Sequence, residues 1–188
     1  MRVVSLVGLP GSGKSTVGKA LKEFHGWFFV DSDEEIEKKT SRKIVNIIRE
    51  DGERAFRAIE SGMINELICA LVNRSEKFSA ISLGGGALTS KEVCALVLKQ
   101  TCVVYLDITH ELQLERVFKE ELESKGRGVR PLLLGSSVLS KDTVSEKLAV
   151  IRAERGKLFE SANYKILTDC KSAEIIAREV VDLVTKGH

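Results

Sequence analysis

From its first residues the chain alternates short apolar runs with longer stretches in which apolar positions recur every three or four residues. Val3-Val4-Ser5-Leu6-Val7 is apolar, β-branched and short, the pattern of a buried strand. Behind it, Val17, Ala20, Leu21 and Phe24 repeat at helical spacing. Strands are predicted at 2–7, 27–30, 78–83, 101–106 and 164–168, with helical patterns between them. Phe56, Ile59, Met63, Leu67 and Leu71 share one face of a helix near 53–73. Val144, Leu148, Ile151, Leu158 and Ala162 mark another near 143–162, and Ala173, Ile176, Val180 and Val184 a closing one. Thr89 and Glu92 read as a capping box for a further helix. The alternation predicts an α/β fold with a five-stranded parallel sheet and helices on both faces. In such folds ligands gather at the carboxyl ends of the strands, so the residues just after each strand carry the interest.

Composition narrows the function without naming it. A chain of 188 residues, 43% hydrophobic and 30% charged, suits one domain over 1–188 with an ample core. A net charge of +2 and 5% aromatics give no argument for nucleic acid. No apolar run reaches membrane-spanning length and no signal-peptide pattern opens the chain, so a cytoplasmic monomer is expected. Cys69, Cys94, Cys102 and Cys170 lack paired spacing and are read as buried reduced thiols. His25, His110 and His188 are read as surface or helix-end residues.

The first strand runs into Gly8-Leu9-Pro10-Gly11-Ser12-Gly13-Lys14-Ser15, a complete P-loop. Its glycines allow positive φ and so aim several backbone N–H groups at one spot, at a helix N-terminus whose dipole favours polyphosphate. Gly11, Ser12, Gly13, Lys14, Ser15 and Thr16 are the expected nucleotide contacts. Lys14 would reach the β- and γ-phosphates and the Ser15 hydroxyl would ligate Mg²⁺. The chain is therefore expected to bind a nucleoside triphosphate within a three-layer P-loop NTPase fold.

Asp31-Ser32-Asp33 follows the second strand. Ser32 with Glu35 resembles a helix-capping box, but a Mg²⁺–nucleotide site also needs a nearby carboxylate, and two aspartates at i and i+2 can divide metal and substrate duties. Gly84-Gly85-Gly86 follows the third strand, where either a flexible turn or a ligand against bare backbone would explain three glycines. Asp107 ends the fourth strand and is a weaker metal candidate. Glu53, Arg57 and Glu60 lie along one helical face, as a surface ion-pair ladder or as an anion-binding arginine held by two carboxylates. Arg155 occupies the inward stripe between Ile151 and Leu158, where a guanidinium must find an acidic partner or face a carboxylate-bearing ligand. Ser124 to Ser137, rich in glycine, serine and arginine, reads as a closing lid.

Taken together these residues resemble the shikimate kinase family, in that family's order and spacing over almost the whole chain. The resemblance rests on the P-loop, Asp31-Ser32-Asp33 with Ile36-Glu37, Gly52-Glu53 with Phe56-Arg57 and Glu60, Gly84-Gly85-Gly86, Arg130-Pro131-Leu132-Leu133, and Arg155. It implies ATP-dependent, Mg²⁺-assisted phosphorylation of the 3-hydroxyl of shikimate, with an acceptor-binding region near 33–62 and a mobile lid near 122–137. By position it implies that Lys14 and Ser15 hold phosphate and metal, and that Asp31 supports the metal through water. Asp33 contacts ring hydroxyls as the base, Arg57 and Arg155 clamp the substrate carboxylate beside Gly84 to Gly86, and Arg130 closes over the phosphates. Phe159 stands where the family shows tyrosine. Glu123 stands where some members carry an arginine near the adenine, a role open to Arg127. The alternatives are a gluconate-type kinase, which should lack the paired arginines, and a nucleotide-binding switch, which should carry a guanine motif or a partner domain.

Overall fold

The structure is a computed structural model and describes residues 2–75, 78–123 and 140–186. Its sheet has five parallel strands: β1 (Val3–Val7), β2 (Phe28–Asp31), β3 (Ser79–Ser82), β4 (Cys102–Asp107) and β5 (Tyr164–Leu167). Their spatial order is β2-β3-β1-β4-β5, each strand lying within about a residue of its expected span. The helices are α1 (Lys14–His25), α2 (Ser32–Thr40), α3 (Ile44–Asp51), α4 (Glu53–Val72), α5 (Lys91–Gln100), α6 (His110–Glu123), α7 (Lys141–Phe159) and α8 (Ala173–Lys186).

Helices cover both faces, so every residue of β1 is buried and its successive side chains feed two cores. Val4 and Leu6 pack with Val17 and Leu21 of α1 and with Ile176 and Val180 of α8. Val3 and Val7 pack on the other side with Ile64 and Ile68 of α4, Val97 of α5, and Leu148 and Ile151 of α7. A third cluster, Ile36, Ile47, Phe56 and Met63, holds α2 and α3 on α4 beside the sheet. Trp27 stacks on Phe78 at 5.0 Å where β2 and β3 begin. Among the described residues, no helix is long and apolar enough to cross a membrane.

Several local expectations shift. The buried stripe of α4 runs through Phe56, Glu60, Met63, Ile64, Ile68 and Leu71, rotated from the predicted face so that Ile59 and Leu67 are only half-buried. That rotation carries Glu60 inward, to 3% exposure. Phe24, expected on the inward face of α1, is exposed. The cap of α5 is Ser90, which accepts from Val93 N–H, because Thr89 is taken up in a 3₁₀ turn over Ala87–Thr89. Only Cys102 is a buried thiol; Cys69 and Cys170 are exposed and Cys94 is half-buried.

Helix α1 approaches β2 so closely at Gly18 that a Cβ there would overlap the Phe29 ring. Overpacking of this kind costs about 1–3 kcal/mol. Gly18→Ala should therefore lower the midpoint of urea unfolding by a corresponding amount. An unchanged midpoint would mean that Phe29 turns aside freely.

Candidate active site

Strand β1 ends in the phosphate loop, and the loop's shape follows from its glycines. A Cβ on Gly8 would lie 2.5 Å from Leu106 O of β4, so no side chain fits where the loop leaves the sheet. Gly11 and Gly13 take φ of 80° and 87°, the left-handed region that glycine enters without strain. Ser12 N–H closes a turn onto Leu9 O at 3.2 Å. The Lys14 ammonium donates to Gly8 O at 2.9 Å and Leu9 O at 3.2 Å, lying back across its own loop.

Asp31, at the end of β2, has two tasks. Its Oδ1 accepts from the Asp33 and Glu34 N–H groups, capping α2, and its Oδ2 accepts from the Ser15 hydroxyl at 2.5 Å. The Ser32–Glu35 capping box is thus not formed. Ser32 Oγ instead accepts from Gly84 N–H at 3.2 Å and ties the end of β2 to the turn after β3.

The glycines after β3 are crowded by side chains. A Cβ on Gly84 would stand 2.6 Å from Glu60 Oε1 and 2.9 Å from Asp33 Oδ1, and one on Gly86 would stand 2.5 Å from an Arg57 nitrogen. None of the three has positive φ, so at Gly84 and Gly86 the need is for room rather than conformational freedom, while a Cβ on Gly85 would make ordinary contacts. Arg57 donates to Glu60 at 2.6 Å and to Glu53 at 3.3 Å. Arg155 Nη1 donates to Gly85 O at 3.1 Å and has no ion pair among the described residues. Burial lowers its affinity for a proton below that of an ordinary guanidinium, and the positive charge of Arg57 lowers it further. Two guanidiniums thus converge on Gly85 and Gly86, one paired with two carboxylates and one bonded to a backbone carbonyl. Gly84 and Gly85 line a cavity of about 1010 Å³ that continues past Asp33, Asp31 and Ser15 to the phosphate loop.

The structure therefore brings together Lys14, Ser15, Asp31, Asp33, Arg57, Gly84 to Gly86 and Arg155, and Thr16 lines the same cavity. Ser12 joins differently: its hydroxyl is buried against Gly8, inside the loop. Asp107 does not join. It accepts from the Tyr105 hydroxyl and Ile108 N–H and pairs with Lys165 at 2.9 Å, which makes it a structural group. Of the predicted lid, 122 and 123 end α6; Arg127, Arg130 and the rest lie outside the described residues. Two residues escaped the sequence reading. Gln113 and Arg116, one turn apart on α6, donate to Pro10 O at 3.0 Å and Gly11 O at 3.1 Å. Arg116 also lines the cavity, so α6 places a cation beside the phosphate loop about two turns before Glu123 ends the helix. Phe159 is buried and stacks on Tyr105 at 4.8 Å.

The chain is similar to known proteins over almost its whole length. The family model for shikimate kinase matches residues 10–185. The chain is 38% identical to shikimate kinase of Mycobacterium leprae over 177 residues, 94% of this chain and 79% of that protein. It is 36% identical to shikimate kinase of Buchnera aphidicola over 186 residues, 98% and 97% of the two chains. The solved shikimate kinase from Acinetobacter baumannii in complex with shikimate superposes with a TM-score of 0.83 at 34% identity, covering 100% of this chain and 94% of that one. The shikimate kinase structure from Aquifex aeolicus superposes at 0.73 with 26% identity, covering 98% and 97%.

Glu60 gives the site a measurable pH signature. Burial raises its carboxyl above the ordinary 4.5, against the opposing pull of Arg57. The native state then holds this proton more firmly than the unfolded chain, so the group's contribution to stability falls as pH rises from the unfolded value through the native one. Glu60→Gln removes that dependence. In urea unfolding from about pH 4 to pH 7, the stability difference should move in favour of Glu60→Gln as pH climbs. A difference that moves towards wild type would show the Arg57 pair outweighing burial.

Proposed function

We propose roles for individual residues from one premise: the chain belongs to the shikimate kinase family and phosphorylates shikimate with ATP. The observation that carries the assignment is the pair of guanidiniums at Gly85 and Gly86. A cyclic carboxylate seated there would meet two forked donors, one held by Glu53 and Glu60 and one short of negative charge. Asp33, beside Gly84, is then the group nearest the acceptor's hydroxyls, and the 3-hydroxyl is the one it addresses. Asp33 takes the hydroxyl proton as the oxygen attacks the γ-phosphorus and the bond to the bridging oxygen breaks, releasing ADP, and Glu60 keeps Arg57 in place.

On the nucleotide side, the loop N–H groups and the Lys14 ammonium receive the phosphates. The Ser15 hydroxyl and Asp31 carboxylate are oxygen donors in mutual contact, a donor set that fits Mg²⁺. When bound, that ion neutralises charge on the β- and γ-phosphate oxygens. Asp31 accepts from Ser15 and from two backbone N–H groups at once, which fixes the carboxylate before any ligand arrives. A cavity beyond the strand ends and a net charge of +2 support small-molecule partners rather than nucleic acid. The exposed thiols of Cys69 and Cys170 support a reducing, cytoplasmic setting.

Asp33→Asn preserves shape and removes the proton acceptor, so kcat should fall about 10²–10⁴-fold with KM for ATP little changed. Steady-state kinetics decide between the two aspartates: an active Asp33→Asn beside a dead Asp31→Asn would reverse their roles.

Arg57→Ala and Arg155→Ala should each weaken shikimate binding by about 1.5–3 kcal/mol, read as a raised KM for shikimate at nearly constant KM for ATP. Arg57→Lys should also be poor, because an ammonium cannot offer the fork. Equal damage to both KM values would mean that the arginines only hold the fold.

A further inference from the structure

Gln113 and Arg152 lie away from the reacting groups yet end on the phosphate loop. Gln113, on α6, is fully buried. Its Nε2 donates to Pro10 O at 3.0 Å, and its Oε1 accepts from Arg152 Nη2 at 2.9 Å. The same Nη2 donates to Ile108 O at 2.7 Å, and Arg152 Nη1 stands 3.9 Å from Asp107. Arg152 belongs to α7, one turn before Arg155, which grips Gly85 O.

What Gln113 holds is a peptide with two choices. Leu9 to Ser12 form a turn closed by Ser12 N–H on Leu9 O, with Pro10 second and Gly11 third at φ 80°. That is a type II turn, which differs from type I by a flip of the central Pro10–Gly11 peptide. In a trans peptide the C=O and N–H point in opposite directions, and no peptide bond of the described chain is cis. With Pro10 O held by α6, the Gly11 N–H points the opposite way, away from Gln113, in a loop whose residues Pro10 to Lys14 all line the cavity. The flipped peptide would offer phosphate a carbonyl oxygen instead of a donor.

The amide of Gln113 could itself sit either way round. One orientation sets NH₂ against Pro10 O and the amide oxygen against the guanidinium; the other sets acceptor against acceptor and donor against donor. Arg152, having only donors, selects the first. We propose that Gln113 is a positioning residue for the phosphates of ATP and that Arg152 locks its amide. The helix that carries one arm of the acceptor clamp then also sets the phosphate loop. This rests on the kinase reading above.

The test is titration of a fluorescent ADP analogue into the full chain, alongside steady-state kinetics with ATP and shikimate. Gln113→Leu and Arg152→Met should each weaken ADP binding and raise KM for ATP about three- to tenfold, the loss of one buried neutral hydrogen bond, at unchanged KM for shikimate. Arg152→Lys keeps a donor for the amide oxygen and should recover most of the affinity. The double variant should bind ADP no worse than the weaker single one. Gln113→Glu, which faces Pro10 O with an oxygen, should bind worse than Gln113→Leu. Wild-type ADP affinity in Arg152→Met, additive losses in the double variant, or equal rises in both KM values would overturn the proposal. Should Gln113→Leu fail to fold, the Arg152→Met and Arg152→Lys pair decides alone. A wild-type chain that binds ADP but does not turn over shikimate would sink the kinase reading, while the ADP titrations would still judge the relay.

Discussion

The parallel register of the sheet is the constraint on which the site depends. Asp31 of β2 lies opposite Ser82 of β3, Ser82 opposite Leu6 of β1, and Val7 of β1 opposite Tyr105 of β4. Because parallel strands all point the same way, these pairings bring four strand ends to one edge. The phosphate loop, the Asp31 cap, the Gly84 turn and α6 all start from that edge. A one-residue slip of β2 would take Asp31 from Ser15 and reverse which of its side chains face the sheet's two cores.

Charge at this edge is organised in two tiers. Around the loop, Lys14 and Arg116 rest on loop carbonyls, while Asp31 already accepts from Ser15 and from two backbone N–H groups. Beside Gly84 to Gly86, Glu60 and Arg155 are both displaced from their ordinary proton affinities, each by burial in the direction that disfavours its charge. Asp33 sits between the tiers, against Gly84 and on the wall of the cavity.

The strands were legible because buried parallel strands are written as plain apolar runs, and the phosphate loop because its backbone needs its glycines. Arg155 was legible as a charge on an apolar stripe. The same logic could have found Gln113, four residues before buried Val117, but a neutral amide inside a helix raises no alarm in sequence. Its partners Pro10 and Arg152 are 103 and 39 residues away, and only the fold joins them. The caps went astray for a related reason. Asp31 and Ser32 are both good N-cap types, and the choice is made by the remote bond from Gly84 N–H, which occupies the serine. For Glu60, spacing left open a surface ladder or a carboxylate holding Arg57, because a small rotation of the α4 stripe decides whether it faces water or the interior.

Trp27 is the chain's one tryptophan, and its stack on Phe78 has an optical consequence. It enters β2 at the end opposite Asp31, about 13 Å away at the rise of a strand, and is walled in by the core around α1 and α8. Its emission therefore reads out the integrity of the sheet and is nearly blind to what fills the cavity. Intrinsic fluorescence of this protein is a gauge of folding, and occupancy of the site has to be followed with a chromophore carried in by the ligand.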